Sequence, residues 1–365
     1  MASSKTPSTV KHGGIVLRSC SDISLSAYLA SLATSHKVVK NVLSAGSQHN
    51  LTVSSGLAVD TSLASSLFNS QTVLSSSNEH DFGDRFDLAL GVWTQSGLSI
   101  PSDVSKQSQW DYIKCSADID TLLPLLDQHR LACLKSASQL HSGDWLNAIP
   151  SSSLGTLLDN DSLRIGLAIR LGLQVCEPHK CRCGATIDGF GLHPLSCRIS
   201  AGRFPRHAAL NDVIKRGLEA AGFPSQLEPV GLDRGDGKRP DGITLFPYKS
   251  GKSLVWDATC TDTFSTGNLV SSAAIPGSAA RSAEENKVKK YAALSDRYLF
   301  VPVAIETSGV LGPLSLAFLE DIGHRAARQR HEPRECEWLF QRISLAVVRG
   351  NAHAVLSSCR EMVGS

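Results

Sequence analysis

The chain has 365 residues, 42% of them hydrophobic, which is enough for one large domain or two ordinary ones. Its formal net charge of +2 excludes binding to polyanions through overall charge alone. Residues 181–252 nevertheless hold eleven Lys and Arg against seven Asp and Glu, which fits either a local nucleic-acid surface or a solvated polar face. No apolar run approaches the roughly 18 residues of a membrane-spanning helix, and the N-terminus lacks the apolar stretch of a secretory signal, so no membrane partner is expected.

Residues 1–175 are predicted to be mostly helical. Three segments have apolar residues at the three- and four-residue spacings of a helix: Leu25–Leu43, Ile119–Leu134 and Leu154–Leu173. Pro124 must begin or kink a helix, because proline cannot donate to the helical hydrogen-bond ladder. The Ser-rich stretches 44–56 and 61–78 indicate loops or weak helices. This half lacks a Gly-rich phosphate-binding loop and the paired acids of a polymerase.

A dense group of cysteine and histidine follows. Three thiols and one imidazole fall within 17 residues: Cys181, Cys183, His193 and Cys197. Structural zinc prefers four such ligands, so zinc is favoured over free thiols beside a surface histidine. Cys176 and His179 lie nearby and could replace one ligand. The other cysteines are scattered, which is typical of buried thiols in a reducing compartment, and we expect an intracellular protein.

Basic residues come directly after this group. The candidates for contacts with nucleic-acid phosphates are Arg198, Arg203 and Arg206, and further on Arg239. Each of them alone is more often simply solvated.

The remaining sequence predicts a helix, three strands, a helix and a strand. In chain order these are Arg206–Ala221, Gln226–Pro229, Gly242–Phe246, Ser253–Cys260, Ala279–Leu294 and Tyr298–Glu306. Asp236-Gly237 indicates a turn between the first two strands, and helices near 312–330 and 334–358 close the chain. This order is typical of a layered α/β core.

Two aspartates fall on adjacent predicted strands. Asp241 begins one strand, and Asp257 follows the apolar residues of the next. A buried carboxylate is costly unless it is paired or bound to a metal, and two acids on adjacent strands can hold Mg²⁺ or Mn²⁺. Glu228, near the end of the preceding strand, is a further candidate acid, and the two-residue period of a strand puts Thr259 on the face of Asp257.

The predicted second helix carries the remaining candidates for catalysis. Lys287, Lys290 and Tyr291 share one face of it, and either lysine could orient an attacking water or stabilise charge on a phosphate. The alternative is ordinary structure, since a Pro-Asp-Gly turn and a lysine-rich helix face are both common.

Taken together, these motifs resemble a known family. Their order is similar to that in the restriction-like endonuclease region of non-LTR retrotransposon proteins. It runs Cys-x-Cys, His, Cys, then Arg239-Pro-Asp241, then Asp257-x-Thr259, then Lys287-x-x-Lys290-Tyr291. The resemblance implies a zinc knuckle and a PD-(D/E)xK core that nicks target DNA. It implies that both aspartates bind the catalytic metal, and that a helix-borne lysine replaces one commonly found at the position of Thr259. Residues 12–20 and 151–159 resemble the helical thumb and linker of these proteins.

The predicted organisation is therefore α/β, with four regions. Residues 1–175 are a thumb- and linker-like helical region, 176–205 the zinc knuckle, 206–310 the nuclease core, and 311–365 C-terminal helices.

The resemblance allows a fragment, a truncated element or a gene derived from one. It implies an Mg- or Mn-dependent DNA endonuclease in the nucleus, with element RNA as an alternative partner. No reverse transcription is expected, because the polymerase acids are absent. No oligomeric state is predicted. The alternative function is an inactive zinc-knuckle module that binds nucleic acid.

Overall fold

The computed structural model describes residues 24–35, 79–232 and 239–359, with backbone only for 79–84. The described residues fall into two compact units, one up to Asp120 and one from Thr121 onward. The predicted Asp236-Gly237 turn and the Ser-rich stretches 44–56 and 61–78 lie outside the described residues, as does the predicted helix beyond residue 35.

The first unit is helical. Its helices are α1 (24–35), α2 (Glu79–Gln95) and α3 (Gln107–Leu122), the last of which runs just past the unit boundary. Their apolar faces meet around Trp93 and Trp110, whose rings pack edge to face with centroids 4.9 Å apart. The buried carboxylate of Asp111 accepts a 2.6 Å hydrogen bond from the Ser26 hydroxyl. The helical character predicted for this region is confirmed over the residues described.

The second unit is a mixed α/β structure. Its helices are α4 (Gln128–Ala137), α5 (Asn160–Leu171), α6 (His193–Ser196), α7 (Arg203–Ala220), α8 (Leu269–Ala274), α9 (Ser278–Lys290), α10 (Pro313–Arg330) and α11 (Glu335–Cys359). Its strands are β1 (His179–Lys180), β2 (Thr186–Ile187), β3 (Ser225–Leu227), β4 (Gly242–Thr244), β5 (Leu254–Thr261) and β6 (Leu299–Glu306). The predicted order of helix, three strands, helix and strand is confirmed as α7, β3, β4, β5, α9 and β6.

Proline and an N-cap explain where the helices before the cluster end and begin. Helix α3 stops at Leu122, and a short 3-10 turn carrying Pro124 separates it from α4, as predicted. The segment predicted as helical from Leu154 begins its helix only at Asn160, because the Asp159 carboxylate accepts from the Ser162 backbone N–H at 2.8 Å and caps α5 there. In the second unit α5 packs on α11, and α4 packs on α5 and α8.

The central sheet has the strand order β3-β4-β5-β6. The first two pairings are antiparallel and the third is parallel, so the chain must cross over between β5 and β6, and α8 and α9 make that connection. Pro302 lies in β6 at the edge of the sheet, where its missing N–H costs no ladder bond on the open side.

The two faces of the sheet have different surroundings. On one face Trp256 of β5 joins Leu210 and Ile214 of α7 and Phe318 of α10 in the largest buried apolar cluster. On the other face lies α9, whose Lys287 reaches the carboxylate of Asp257. The alternation along β5 thus sends apolar side chains into the core and a carboxylate toward α9. Among the described residues, no helix is both long and apolar enough to cross a membrane.

The close approach of Gly242 in β4 to the indole ring of Trp256 predicts how a substitution at Gly242 changes stability. Gly242 pairs with Trp256 across β4 and β5, and a Cβ at Gly242 would overlap the indole ring. We expect Gly242→Ala to lower the free energy of unfolding by about 1–3 kcal/mol, because the ring must shift within a packed core. Urea denaturation measures this. The matched control is Gly267→Ala, where an added methyl has no neighbour within 4 Å. Equal midpoints for the two variants would contradict the packing described.

Candidate functional site

A short hairpin and a four-residue helix bring the predicted zinc ligands together. Cys181 and Cys183 lie in the turn between β1 and β2, closed by a 2.9 Å bond from the Cys181 N–H to the Ala185 carbonyl. Gly184 gives this turn its positive φ of 89°. His193 begins α6, and Cys197 follows its end. We call Cys181, Cys183, His193 and Cys197 the knuckle.

The geometry of the knuckle suits a tetrahedral metal. Its four ligand atoms all lie within 4.8 Å of one another. The Sγ atoms of Cys181 and Cys197 are 3.8 Å apart, close to the roughly 3.8 Å expected between two thiolates bound to one zinc at about 2.3 Å. Cys183 Sγ and His193 Nε2 are 3.1 Å apart. A hydrogen bond from the Ala185 backbone lowers the pKa of Cys183 to about 7, which favours its thiolate. These residues could hold a metal ion such as zinc.

The two alternative ligands are not part of the knuckle. Cys176 and His179 form a separate group with Cys359, near the end of α11. The sequence offered no sign of that partner, because it lies at the far end of the chain.

Metal content tests the knuckle. We expect Cys197→Ser to lower the zinc content of the purified protein by one equivalent per chain, because it removes a thiolate from a closed site in which all four ligands come from the protein. Atomic-emission analysis of protein purified under reducing conditions measures it. Cys336→Ser, at a half-buried thiol outside both groups, is the control and should keep the wild-type content. A Cys197→Ser protein with unchanged zinc would count against the knuckle.

The two predicted aspartates come together across β4 and β5. Asp241 directly precedes Gly242, which pairs with Trp256 of β5, and it lies close enough to Asp257 for its charge to raise the pKa of that carboxyl. The Asp241 N–H donates to the Trp256 carbonyl at 3.0 Å, and the Asp241 carboxylate accepts from the Ala258 N–H at 2.6 Å. We call Asp241 and Asp257 the acid pair.

Asp257 is the more deeply buried member of the acid pair. It is 5% exposed, and burial raises its pKa, while the charge and hydrogen bond of Lys287 act in the opposite direction. The Lys287 Nζ donates to Oδ2 of Asp257 at 2.6 Å, whereas the Lys290 Nζ lies 3.8 Å from the same atom. The sequence left the choice of lysine open, and the geometry favours Lys287. Thr259 is half-buried two residues along β5.

Asp241 is supported from α7. His207 Nε2 lies 3.0 Å from Asp241 Oδ2, and Asn211 is one turn further along the helix, where its Oδ1 accepts from the Trp256 indole N–H at 2.9 Å. Burial opposes the charge on Asp241, but the bond and charge of His207 outweigh it and hold the pKa of Asp241 below its usual 3.8. The sequence linked neither helix residue to the acid pair; His207 stood out only as one of the basic residues that follow the knuckle. Their four-residue spacing on a helix that packs against the sheet was the available signal.

Tyr291 and Glu228 lie beside the acid pair and contact the chain around it. The Tyr291 hydroxyl donates to the Arg239 carbonyl at 3.2 Å, and the side chain is only 1% exposed. This contact fixes the backbone just before Asp241, so Tyr291 is a positioning residue here. The Glu228 N–H donates to the Asp241 carbonyl at 2.8 Å, while its exposed carboxylate pairs with the Arg239 guanidinium.

The predicted phosphate-binding arginines divide into two kinds. Arg198, Arg203 and Arg239 are exposed. The expectation is wrong for Arg206, which is 3% exposed and donates to Asn351 Oδ1 at 2.7 Å and to the Leu195 carbonyl at 2.8 Å. Its guanidinium is committed to the interior, so it is not available to a phosphate.

No protein family matches the sequence, and no curated protein is significantly similar to it.

The contact between His207 and Asp241 predicts a titration. The hydrogen bond to Asp241 raises the pKa of His207 above its usual 6.5 against the effect of burial, with Asp257 assisting and Lys287 opposing. We expect Asp241→Asn to lower that pKa, as measured by NMR titration of the imidazole without Mg²⁺. Asp212→Asn, on the exposed side of α7, is the control. An unchanged His207 pKa in Asp241→Asn would refute the contact.

The same contact fixes the sign of a stability change with pH. Folding raises the pKa of His207, so His207 contributes fully to the free energy of unfolding below 6.5, its pKa in the unfolded chain. This contribution is lost as the pH rises through the pKa of the folded state. Folding lowers the pKa of Asp241, so Asp241 contributes to the free energy of unfolding above 3.8, its pKa in the unfolded chain. This contribution is lost as the pH falls through the pKa of the folded state. The pair therefore stabilises the fold most between these two values.

Proposed function

We propose that this protein is a metal-dependent DNA endonuclease that hydrolyses phosphodiester bonds. The observation that carries the proposal is the acid pair, with Asp257 only 5% exposed and Lys287 2.6 Å from its carboxylate. A core strand rarely keeps a buried carboxylate without a partner or a metal. Clusters of acids with perturbed pKa values and a nearby lysine are common at functional sites.

The donor set is chemically suited to a hard cation. Asp241 and Asp257 offer carboxylate oxygens, the ligands that Mg²⁺ and Mn²⁺ prefer, from neighbouring strands. When bound, such a cation supplies a water of lowered pKa and neutralises charge on the phosphate. Each carboxylate now bonds a basic side chain, Lys287 or His207, and the metal would take over part of that neutralisation.

The chain's own residues have distinct roles in this proposal. Lys287 donates to Asp257 in this structure and, once a metal took over part of that contact, would stabilise negative charge on the attacking water or on a phosphate oxygen. Lys290, further away, adds positive potential. His207 holds the Asp241 carboxylate in position from α7. Tyr291 holds the chain that enters β4.

The knuckle would position DNA on this site. Arg198 directly follows the last knuckle ligand, and Arg203 begins α7, the helix that carries His207. Both arginines are exposed and would contact phosphates without reading sequence. This arrangement agrees with what the resemblance implies, namely the PD-(D/E)xK endonuclease region of a non-LTR retrotransposon protein acting on nuclear DNA. Element RNA is the alternative ligand for the knuckle.

One set of observations favours a second candidate, an inactive nucleic-acid-binding module. Both carboxylates of the acid pair are already satisfied by protein donors, and Thr259 stands where the resembled family commonly has a lysine. In that case the acid pair is a structural ion-pair network, and the knuckle with its arginines is the functional part.

Plasmid nicking separates the two candidates. Wild type is incubated with supercoiled plasmid and Mg²⁺ or Mn²⁺, beside Asp241→Asn, Asp257→Asn and Lys287→Met. We expect the variants to nick at least about 100-fold more slowly, because each removes a group that binds the metal or stabilises charge. Lys289→Met is the matched control on the exposed face of the same helix and should retain wild-type nicking.

The result needs a folding check, because Lys287→Met leaves Asp257 buried without its closest cation. Thermal unfolding of each variant and retardation of DNA on a gel provide it. If folded variants bind DNA but do not nick while wild type does, the endonuclease proposal is supported. If wild type also leaves the plasmid intact yet retards it, the binding module is the better account.

A further inference from the structure

A second group of potential metal ligands lies outside the knuckle. Cys176 and His179 precede or begin β1, and Cys359 ends α11. Their ligand atoms, two thiol sulfurs and one imidazole nitrogen, all lie within 4.8 Å of one another. The knuckle uses none of these residues, and the proposed nuclease chemistry does not need them.

The hydrogen bonds of His179 determine which of its nitrogens faces the group. Its Nδ1 lies 2.8 Å from the Glu177 carbonyl, which can only accept, so Nδ1 carries the proton. Nε2 then has a lone pair, and it lies 3.2 Å from the Ser358 hydroxyl, next to Cys359. Metal-binding histidines are usually oriented in this way, with the second nitrogen donating to a backbone carbonyl.

Burial adds to the case for a ligand. His179 is only 6% exposed, and Cys176 and Cys359 are half-buried. The Cys176 thiol makes long sulfur contacts to the carbonyls of Asp188 at 3.5 Å and Gly189 at 3.9 Å, and it also contacts the Cys359 thiol. Thiolate and imidazole together select zinc over the oxygen-preferring Mg²⁺ or Mn²⁺ of the acid pair.

We propose that Cys176, His179 and Cys359 form a second zinc site, separate from the knuckle, with water as its fourth ligand. The site joins the end of α11 to the hairpin that carries two knuckle ligands. Zinc bound there ties the C-terminal helix to the knuckle, so the two metals stabilise one structure. The proposal does not depend on endonuclease activity.

Zinc counting on the full chain tests it. Protein purified under reducing conditions should contain two zinc ions per chain by atomic emission. Cys359→Ser should contain one, and Cys197→Ser should also contain one. Cys336→Ser, which replaces a thiol in neither group, should contain two. Cys359 ends α11 and is only half-buried at the margin of the core, and serine is close to cysteine in size, so the replacement should leave the fold of that helix in place.

Cobalt substitution shows which thiols bind. Co²⁺ bound by thiolates absorbs in the near ultraviolet, and the intensity follows the number of sulfur ligands. Cys359→Ser should lose about two fifths of the wild-type intensity, because two of the five proposed thiolates belong to its site and the knuckle supplies the other three. His179→Gln should lose the same second ion while both thiols remain.

The outcomes are distinct. Loss of one zinc in Cys359→Ser and in His179→Gln, with two in wild type, supports the site. A wild-type content of one zinc would overturn it, as would a count of two that Cys359→Ser leaves unchanged. A disulfide joining Cys176 to Cys359, found by mass spectrometry of the unreduced protein, would also overturn it.

Discussion

The burial of the Asp257 carboxylate on a central strand is the constraint around which the second unit is arranged. An unpaired charge at that depth would cost several kcal/mol, and removing one partner of a buried ion pair costs about 3–5 kcal/mol. Lys287 offsets the cost from α9, which fixes the crossover helix against β5. The second acid, Asp241, lies nearby and needs its own counter-charge, which His207 provides from α7. Both flanking helices are therefore tied to the sheet through carboxylates as well as through apolar packing.

That arrangement is a poor way to gain stability. A well-packed apolar pair in place of a buried ion pair is often neutral or stabilising, so ion pairs of this kind weigh little as evidence for a purely structural role. The pKa values of the two acids are shifted in opposite directions, and this is more informative about function. Burial raises the pKa of Asp257, whereas His207 helps to keep the pKa of Asp241 low. Two neighbouring acids with different environments are what a cation site or acid–base chemistry requires, and this is why the acid pair carries the proposed function.

Residue patterns within short stretches of the sequence predicted much of the fold and less of the candidate site. The strands carrying Asp257 and Glu306 and the helix carrying Lys287 were recognisable, because apolar periodicity and β-branched runs reflect which face is buried. The knuckle ligands were recognisable because their chemistry is concentrated in a short stretch. Contacts such as His207 with Asp241, or Cys176 with Cys359, depend on how distant elements pack, which spacing along the chain does not encode. Arg206 was misjudged for the same reason, since its burial arises from α11.

Arg206 also explains how the knuckle and the acid pair are held in one geometry. Its guanidinium donates both to the carbonyl of Leu195, which lies between two knuckle ligands in the sequence, and to Asn351 on α11. The next residue, His207, contacts Asp241. Gly350 leaves room for this, because a Cβ there would overlap the arginine side chain. Asn351 in turn donates to the Thr307 carbonyl at 2.7 Å, just past β6. One turn of α7 therefore faces α11 with one residue and the sheet with the next. An arginine that cannot touch a phosphate still bears on any nucleic-acid function, because it sets where the knuckle lies relative to the two carboxylates.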